Sequence, residues 1–254
     1  MLLRDPNSPA QPGQAHAGWL LALIAALALS ACGATQGDAG EKPQRGQTGG
    51  DGSLTQTAAR SEGHDGHCEK VGKPKPKGPQ HVPKPTLSLD PSKTYMVKLD
   101  TNCGSIFIKL AVQRAPQIAA SFAYLVQRGF YDDLTFHLVL SGFVIQGGDP
   151  NGDGSGGPGY EVVEQPPKQL RYTPGTVAMA KAATDPPGAS GSQFFIVTGK
   201  NVELPAQYAL LGKVVKGWNT VTAISDVPTE DGPEGEDSAP TSPIVISKAT
   251  LSSS

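Results

Sequence analysis

Two stretches of the chain place amide side chains next to aromatic rings, a combination suited to gripping a peptide group. Phe143 precedes Gln146 in the first stretch, and Gln193 precedes Phe195 in the second. Because strand side chains alternate between two faces, Gln193 and Phe195 share one face and Phe194 takes the other. Amides donate and accept hydrogen bonds, while rings supply an apolar wall. Such a surface can act on a peptide without a nucleophile, an acid–base pair or a metal.

The first stretch belongs to a longer motif, residues 131–149, with the sequence YDDLTFHLVLSGFVIQGGD. This motif resembles the signature of the cyclophilins, the peptidyl-prolyl cis–trans isomerases, and the resemblance extends over residues 94–250. It implies that Phe143 and Gln146 belong to the catalytic site, and that His137 is a structural residue. Leu138 stands at the position of the family's catalytic arginine. The resemblance therefore predicts the fold, whereas the activity is a separate question because the arginine is replaced.

The same resemblance implies the residues that contact substrate. Lys181 lies in a Met-Ala-Lys triplet that is similar to the family's Met-Ala-Asn, and Glu203 stands where many members carry Trp. Leu204 and Tyr208 match the walls of the family's proline pocket. The full set of expected substrate-binding residues is Val144, Ala180, Lys181, Gln193, Phe195, Leu204 and Tyr208.

The implied reaction is rotation about the peptide bond that precedes a proline. Its barrier is about 18–20 kcal/mol, because resonance gives the C–N bond double-bond character. A catalyst must hold the proline ring, favour the twisted amide and keep water away from the planar ground state. We therefore expect neither a cofactor nor a metal, and we expect Pro-containing peptides as partners.

Leu138 leaves two functional hypotheses open. By resemblance, the family's guanidinium donates to the prolyl nitrogen, and losing one such donor costs about 3–4 kcal/mol. The protein is then either an isomerase with reduced turnover or a catalytically silent module that binds Pro-containing segments. Lys181 could supply a substitute cation if its side chain crossed the site, and the alternative is a lysine that points to solvent.

Short β-rich runs and two helical segments should position these residues. The runs Tyr95–Leu99 and Ser105–Leu110 form a predicted hairpin. Pro116 suits a first helical turn, and the apolar residues after it fall on one helical stripe. Further strands are predicted at Thr135–Leu140, Phe143–Gln146, Tyr160–Val163, Thr176–Ala180, Gln193–Val197, Ala209–Val215 and Pro243–Ala249, with a second helix near Trp218–Ser225. Many short strands favour a closed barrel, which leaves no exposed edge. The resemblance implies the same mainly β fold, a closed eight-stranded antiparallel barrel capped by two α-helices.

The amino-terminal region resembles a bacterial lipoprotein signal peptide. An apolar run at residues 19–29, too short for a comfortable bilayer span, leads into Leu29-Ser30-Ala31-Cys32. The resemblance implies cleavage after residue 31 and lipid on Cys32, which would anchor the protein outside the cytoplasmic membrane. An uncleaved anchor and a secreted protein are the alternatives.

Residues 32–92 are polar, rich first in glycine and then in proline and lysine, and lack apolar periodicity. They predict a disordered tether, followed by a folded domain over residues 93–254. With Cys32 assigned to lipid, Cys68 and Cys103 remain, and an export compartment allows a disulfide between them. Two free thiols are the alternative.

Charge and short motifs exclude other functions. The net charge of −2 indicates no nucleic-acid partner. Gly152–Gly157 fits a dinucleotide pattern, but Pro158 stands where a helix must begin. Asp149–Asp153 resembles the start of a calcium loop, yet Tyr160 occupies the position of its last ligand. We expect a monomer that binds Pro-containing peptides and unfolded exported proteins. Its attachment to the membrane would be through the lipid on Cys32.

Overall fold

Short strands follow one another closely from Tyr95 to the carboxyl terminus, and eight of them close into a barrel. The computed structural model describes residues 67–232 and 237–254. The strands are β1 (Tyr95–Thr101), β2 (Gly104–Leu110), β3 (Leu134–Leu140), β4 (Val144–Asp149), β5 (Val162–Val163), β6 (Thr176–Met179), β7 (Ala189–Ser190), β8 (Phe194–Val197), β9 (Leu210–Lys216), β10 (Thr229–Asp231), β11 (Asp237–Pro240) and β12 (Val245–Ser253). The barrel order is β1-β12-β3-β4-β8-β6-β9-β2, and every pairing is antiparallel. The predicted barrel is confirmed.

Alternation along the strands fills the barrel interior. Val97 and Leu99 on β1 and Ile106 and Ile108 on β2 are fully buried, while the residues between them are partly exposed. This is the period of two expected for strands with one face on a core. The short pairs β5–β7 and β10–β11 lie outside the barrel order.

Two helices complete the fold, as predicted. Helix α1 spans Pro116–Gln127 and has proline in its first turn, where the missing N–H costs no helical hydrogen bond. The expected apolar stripe of α1 is buried, and it includes Phe122 and Leu125. Helix α2 spans Trp218–Ser225 and follows Gly217, whose φ of +89° suits glycine. Among the described residues, no helix combines the length and the apolar character needed to cross a membrane.

The structure differs from the predicted free tether in the residues just before the barrel. Cys68 forms a disulfide with Cys103, so the bridge rather than the pair of free thiols is present. The Lys77 N–H donates to the Pro150 carbonyl at 2.8 Å, and the Val82 N–H donates to the Pro158 carbonyl at 2.8 Å. Val82 and Leu89 also pack against the core. Residues 67–92 thus lie along the barrel through backbone bonds that hydropathy does not reveal. The predicted signal peptide, Cys32 and the tether up to residue 66 fall outside the described residues.

Candidate active site

Strand pairing brings the predicted amide and aromatic residues to one face of the sheet. Leu138 on β3 pairs with Gln146 on β4, which pairs in turn with Phe195 on β8. Directly opposed residues project from the same side of a sheet. Their chain neighbours Ile145 and Phe194 lie in the core, so this side is the outside of the barrel. By alternation it also carries Val144 and Gln193, and the Ala180 N–H donates to the Gln193 carbonyl at 2.9 Å. We call this surface the site face, and its members are Leu138, Val144, Gln146, Ala180, Gln193 and Phe195.

Two glutamines form a hydrogen-bonded pair at the centre of the site face. The Gln146 Nε2 donates to the Gln193 Oε1 at 3.0 Å. The Gln193 Nε2 donates to the carbonyls of Gly154 and Gly156 at 2.8 and 2.9 Å. Both N–H groups of the Gln193 side chain are therefore used, and they fix the loop after β4. No described residue donates to the side-chain Oε1 of Gln146, so this side chain keeps bonding capacity for a peptide.

An aromatic wall stands at one side of the site face. The rings of Phe195 and Tyr208 meet edge to face, with centroids 5.4 Å apart. Tyr172 completes the cluster at 6.2 Å from Phe195 and 6.1 Å from Tyr208. Such arrangements stabilise aromatic clusters beyond simple burial. All three side chains are buried, so the cluster is a fixed apolar wall of the kind that a proline ring requires.

Sequence reasoning missed Tyr172. Its hydroxyl donates to the Tyr208 carbonyl at 2.7 Å and accepts from the Tyr208 N–H at 3.0 Å. Burial raises the pKa of Tyr172 to about 12, so the hydroxyl stays protonated and keeps donating at neutral pH. Tyr172 lies in an irregular segment without periodicity, and no sequence signal marks it. Tyr172 therefore fixes the backbone of Tyr208 through these two hydrogen bonds.

Phe143 and Leu204 are among the predicted residues that lie outside the strands. Phe143 is half-buried in the turn before β4, and its carbonyl accepts hydrogen bonds from the N–H groups of Thr198 and Gly199. Leu204 is half-buried in the irregular segment that leads to Tyr208. Both positions lie next to elements of the site face. Their contact with a bound proline stays a prediction.

Lys181 adopts neither of the two arrangements considered from the sequence. Its side chain is buried, and its ammonium donates to the carbonyls of Ala182 and Asp185 at 2.8 and 3.0 Å. The Asp185 carboxylate accepts from the Ala182 N–H at 2.8 Å. The ammonium also lies 5.9 Å from the Tyr208 ring centroid. Lys181 therefore fastens the loop that follows β6 instead of reaching across the site to Leu138.

Two cavities flank the site face. The larger, about 430 Å³, is lined by Ala180, Lys181 and Gln193, and the smaller, about 340 Å³, is lined by His137 and Leu138. They lie on either side of the loop that Gln193 holds, since Gly156 lines the first and Gly154 the second. The site face therefore has open space on both sides of this loop.

His137 occupies an irregularity in β3. The register between β3 and β4 shifts there, so that Phe136 and Leu138 have partners on β4 and His137 has none. Within the described part of the chain, neither ring nitrogen has a hydrogen-bond partner. Burial lowers the pKa of His137, and the nearby carboxylates of Asp149 and Asp153 only partly oppose the shift. The ring is therefore neutral at pH 7, with one donor and one acceptor.

Asp149, the last residue of β4, fixes the loop that follows the strand. Both Asp149 carboxylate oxygens accept backbone N–H groups, from Asn151 on one side and from Asp153 and Gly154 on the other. Over residues 67–232 and 237–254, no three potential metal ligands converge.

Comparisons with known proteins agree with this geometry. Residues 96–251 match the family model described as cyclophilin type peptidyl-prolyl cis-trans isomerase/CLD. The chain is 38% identical to peptidyl-prolyl cis-trans isomerase A of Mycobacterium tuberculosis over 185 residues, which cover 66% of this chain and 97% of that protein. It is 38% identical over 141 residues to a peptidyl-prolyl cis-trans isomerase of Helicobacter pylori, covering 50% of this chain and 83% of the relative.

A solved structure leads to the same assignment. The crystal structure of a Cryptosporidium parvum cyclophilin type peptidyl-prolyl cis-trans isomerase, obtained in the presence of the dipeptide Ala-Pro, superimposes with a TM-score of 0.56 at 30% identity. The superposition covers 62% of this chain and 98% of the other. Sequence, barrel and site face agree, and the chain belongs to the cyclophilin-type peptidyl-prolyl cis-trans isomerase family.

Proposed function

We propose that the protein is a peptidyl-prolyl isomerase that acts on exported chains, as a monomer, with turnover reduced by Leu138. The observation that carries the proposal is the convergence of Gln146, Gln193 and Phe195 on one barrel face beside the Tyr208 wall. These elements supply what the reaction needs apart from the missing cation. The related crystal structure was obtained in the presence of the dipeptide Ala-Pro, which supports a Pro-containing ligand here.

The chemistry follows from the geometry. The aromatic wall holds the proline ring, and the Gln146 amide bonds the peptide backbone next to it. Apolar surroundings withhold water, which would otherwise stabilise the planar amide. As the amide twists, the prolyl nitrogen becomes pyramidal and its lone pair localises. Leu138 offers no donor to that nitrogen, so the twisted state receives less stabilisation than an arginine would provide.

A silent binding module is the second candidate, and Leu138 is the observation that favours it. Binding uses the wall and the amides, whereas the lost donor acts chiefly on the transition state. Such a protein would grip Pro-containing segments without accelerating their exchange.

An isomerisation assay on a Pro-containing peptide separates the two candidates. We expect the wild-type protein to exceed spontaneous exchange measurably, at a rate about 100- to 1000-fold below that of a form with the missing donor. Exchange spectroscopy by NMR suits the measurement, because it reports binding and exchange together. Binding without any acceleration would establish the silent module, and absence of binding would reject both candidates.

We also propose that the protein acts outside the cytoplasmic membrane. We infer a lipid anchor on Cys32 after removal of residues 1–31, with residues 32–66 as a spacer. The Cys68–Cys103 disulfide supports export, because such bridges persist in oxidising compartments. Cells that express the protein and are fed an alkyne-tagged fatty acid should label the wild type and not Cys32→Ser. Equal labelling of both forms, or of neither, would contradict the anchor.

A further inference from the structure

The segment before the barrel touches both cavities of the site. We define the strap as residues 68–82. At its start the Cys68–Cys103 disulfide joins the strap to the β1–β2 turn, and the Glu69 N–H donates to the Asn102 carbonyl at 2.8 Å. The Asn102 side-chain amide bonds the Glu69 carbonyl in return, at 2.6 Å. This end of the strap is fixed covalently.

The strap then follows the loop that separates the two cavities. Lys73 lines the smaller cavity together with Leu138, and Pro79 and Gln80 line the larger one together with Gln193. Between these points the Lys77 ammonium donates to the Phe130 carbonyl at 3.1 Å. The strap therefore contributes wall to each side of the site face.

The strap residues lie where the flanks of a bound peptide must pass. An extended chain rises about 3.3 Å per residue, so residues on each side of a proline reach out of the prolyl pocket into flanking space. In the smaller cavity such a chain meets the Lys73 side chain, whereas both ring nitrogens of His137 are buried. In the larger cavity it meets the Gln80 amide, Asn151 and Ser155. These groups suit polar peptide flanks.

From this placement we infer that the strap is a substrate-binding element for polar residues that flank the proline, and that the Cys68–Cys103 disulfide holds it in position. The inference rests on the proposed function, because it assigns a further contact to the same ligand. A short peptide would engage the prolyl pocket alone, whereas a long polar peptide would engage the strap as well.

The disulfide makes this contact sensitive to redox state. A dithiol reductant delivers two electrons and two protons to the bridge, yielding two thiols, and is itself oxidised to a cyclic disulfide. Without the bridge, the first residues of the strap keep only hydrogen bonds to the β1–β2 turn. With only these hydrogen bonds at that end, Lys73 is held less firmly at its cavity.

The test measures the binding of two peptides by calorimetry. The short peptide carries one residue on each side of proline, and the long one carries four polar residues on each side. The readout is the ratio of the two affinities in the full protein, in the double variant Cys68→Ser/Cys103→Ser and in Lys73→Ala. We expect the preference for the long peptide to fall about tenfold in the double variant and about threefold in Lys73→Ala.

Lys75→Ala is the matched control, since Lys75 is exposed on the same strap and lines neither cavity. It should keep the wild-type ratio. Lys73→Ala also guards against misfolding of the double variant, because it removes no bond of the barrel. Equal ratios in the wild type, the double variant and Lys73→Ala would overturn the strap inference alone. Failure of the wild type to bind the short peptide would overturn the proposed function.

Discussion

Replacing Leu138 with arginine should raise kcat for prolyl isomerisation by about 100- to 1000-fold. Leu138 projects from the site face directly opposite Gln146, so a guanidinium there would reach the twisting amide. The cavity of about 340 Å³ beside Leu138 offers room for the longer side chain. Asp153 and Glu230 line the same cavity, and their carboxylates reduce the cost of placing a cation there.

Leu138→Met is the control for this gain, because methionine matches leucine in volume and offers no N–H donor. The two variants should bind a Pro-containing peptide with similar affinity, since the arginine acts mainly on the transition state. Exchange spectroscopy by NMR measures both quantities on one sample. Equal kcat for Leu138→Arg and Leu138→Met would show that this site does not use a cation at position 138.

Gln193→Leu should weaken the binding of Pro-containing peptides by about 10- to 100-fold. The substitution removes the acceptor for Gln146 and the donor to Gly154 and Gly156, three hydrogen bonds at about 1 kcal/mol each. These bonds lie within the protein, so their loss weakens binding because the site must be ordered when the peptide binds, and each 1.4 kcal/mol of that cost corresponds to a factor of about ten in affinity. The loop between the two cavities loses its support, and the Gln146 amide loses its orientation.

Gln169→Leu is the matched control, because it makes the same chemical change at an exposed residue outside the site face. Calorimetric titration with a short Pro-containing peptide gives the affinities, and urea unfolding shows whether each variant is folded at the assay temperature. A folded Gln193→Leu protein with wild-type affinity would remove the glutamine pair from the binding surface.

Much of the barrel can be derived from local patterns. The alternation at Val97 and Leu99, and the separation of Phe194 from Phe195, both follow from the strand period of two. Pro116 marks the start of α1 because proline tolerates a first helical turn. Four residues of the site face lie on strands, and Ala180 and Gln193 directly flank β6 and β8, so the same alternation predicts which of them share a side.

Tyr172 and Lys181 could not be placed in this way. Tyr172 holds Tyr208 through backbone groups 36 positions away in the chain. Lys181 is 7% exposed, against the expectation for a lysine, because carbonyls of the following loop accept hydrogen bonds from its ammonium. Both arrangements depend on irregular backbone, whose carbonyl directions are set by the folded loop and not by residue type.

The position of the strap could not be predicted from local sequence patterns either. Its proline, lysine and glycine content predicts an unfolded spacer, since too little apolar surface is available to offset the entropy of ordering. The folded barrel orders the strap, because the carbonyls of Pro150 and Pro158 accept its backbone N–H groups and Cys103 forms a disulfide with it. Side-chain periodicity, a local property, thus specified the barrel and the orientation of its site residues. The course of residues 67–92 depended on long-range backbone bonds and one covalent link, which exist only after the barrel has closed.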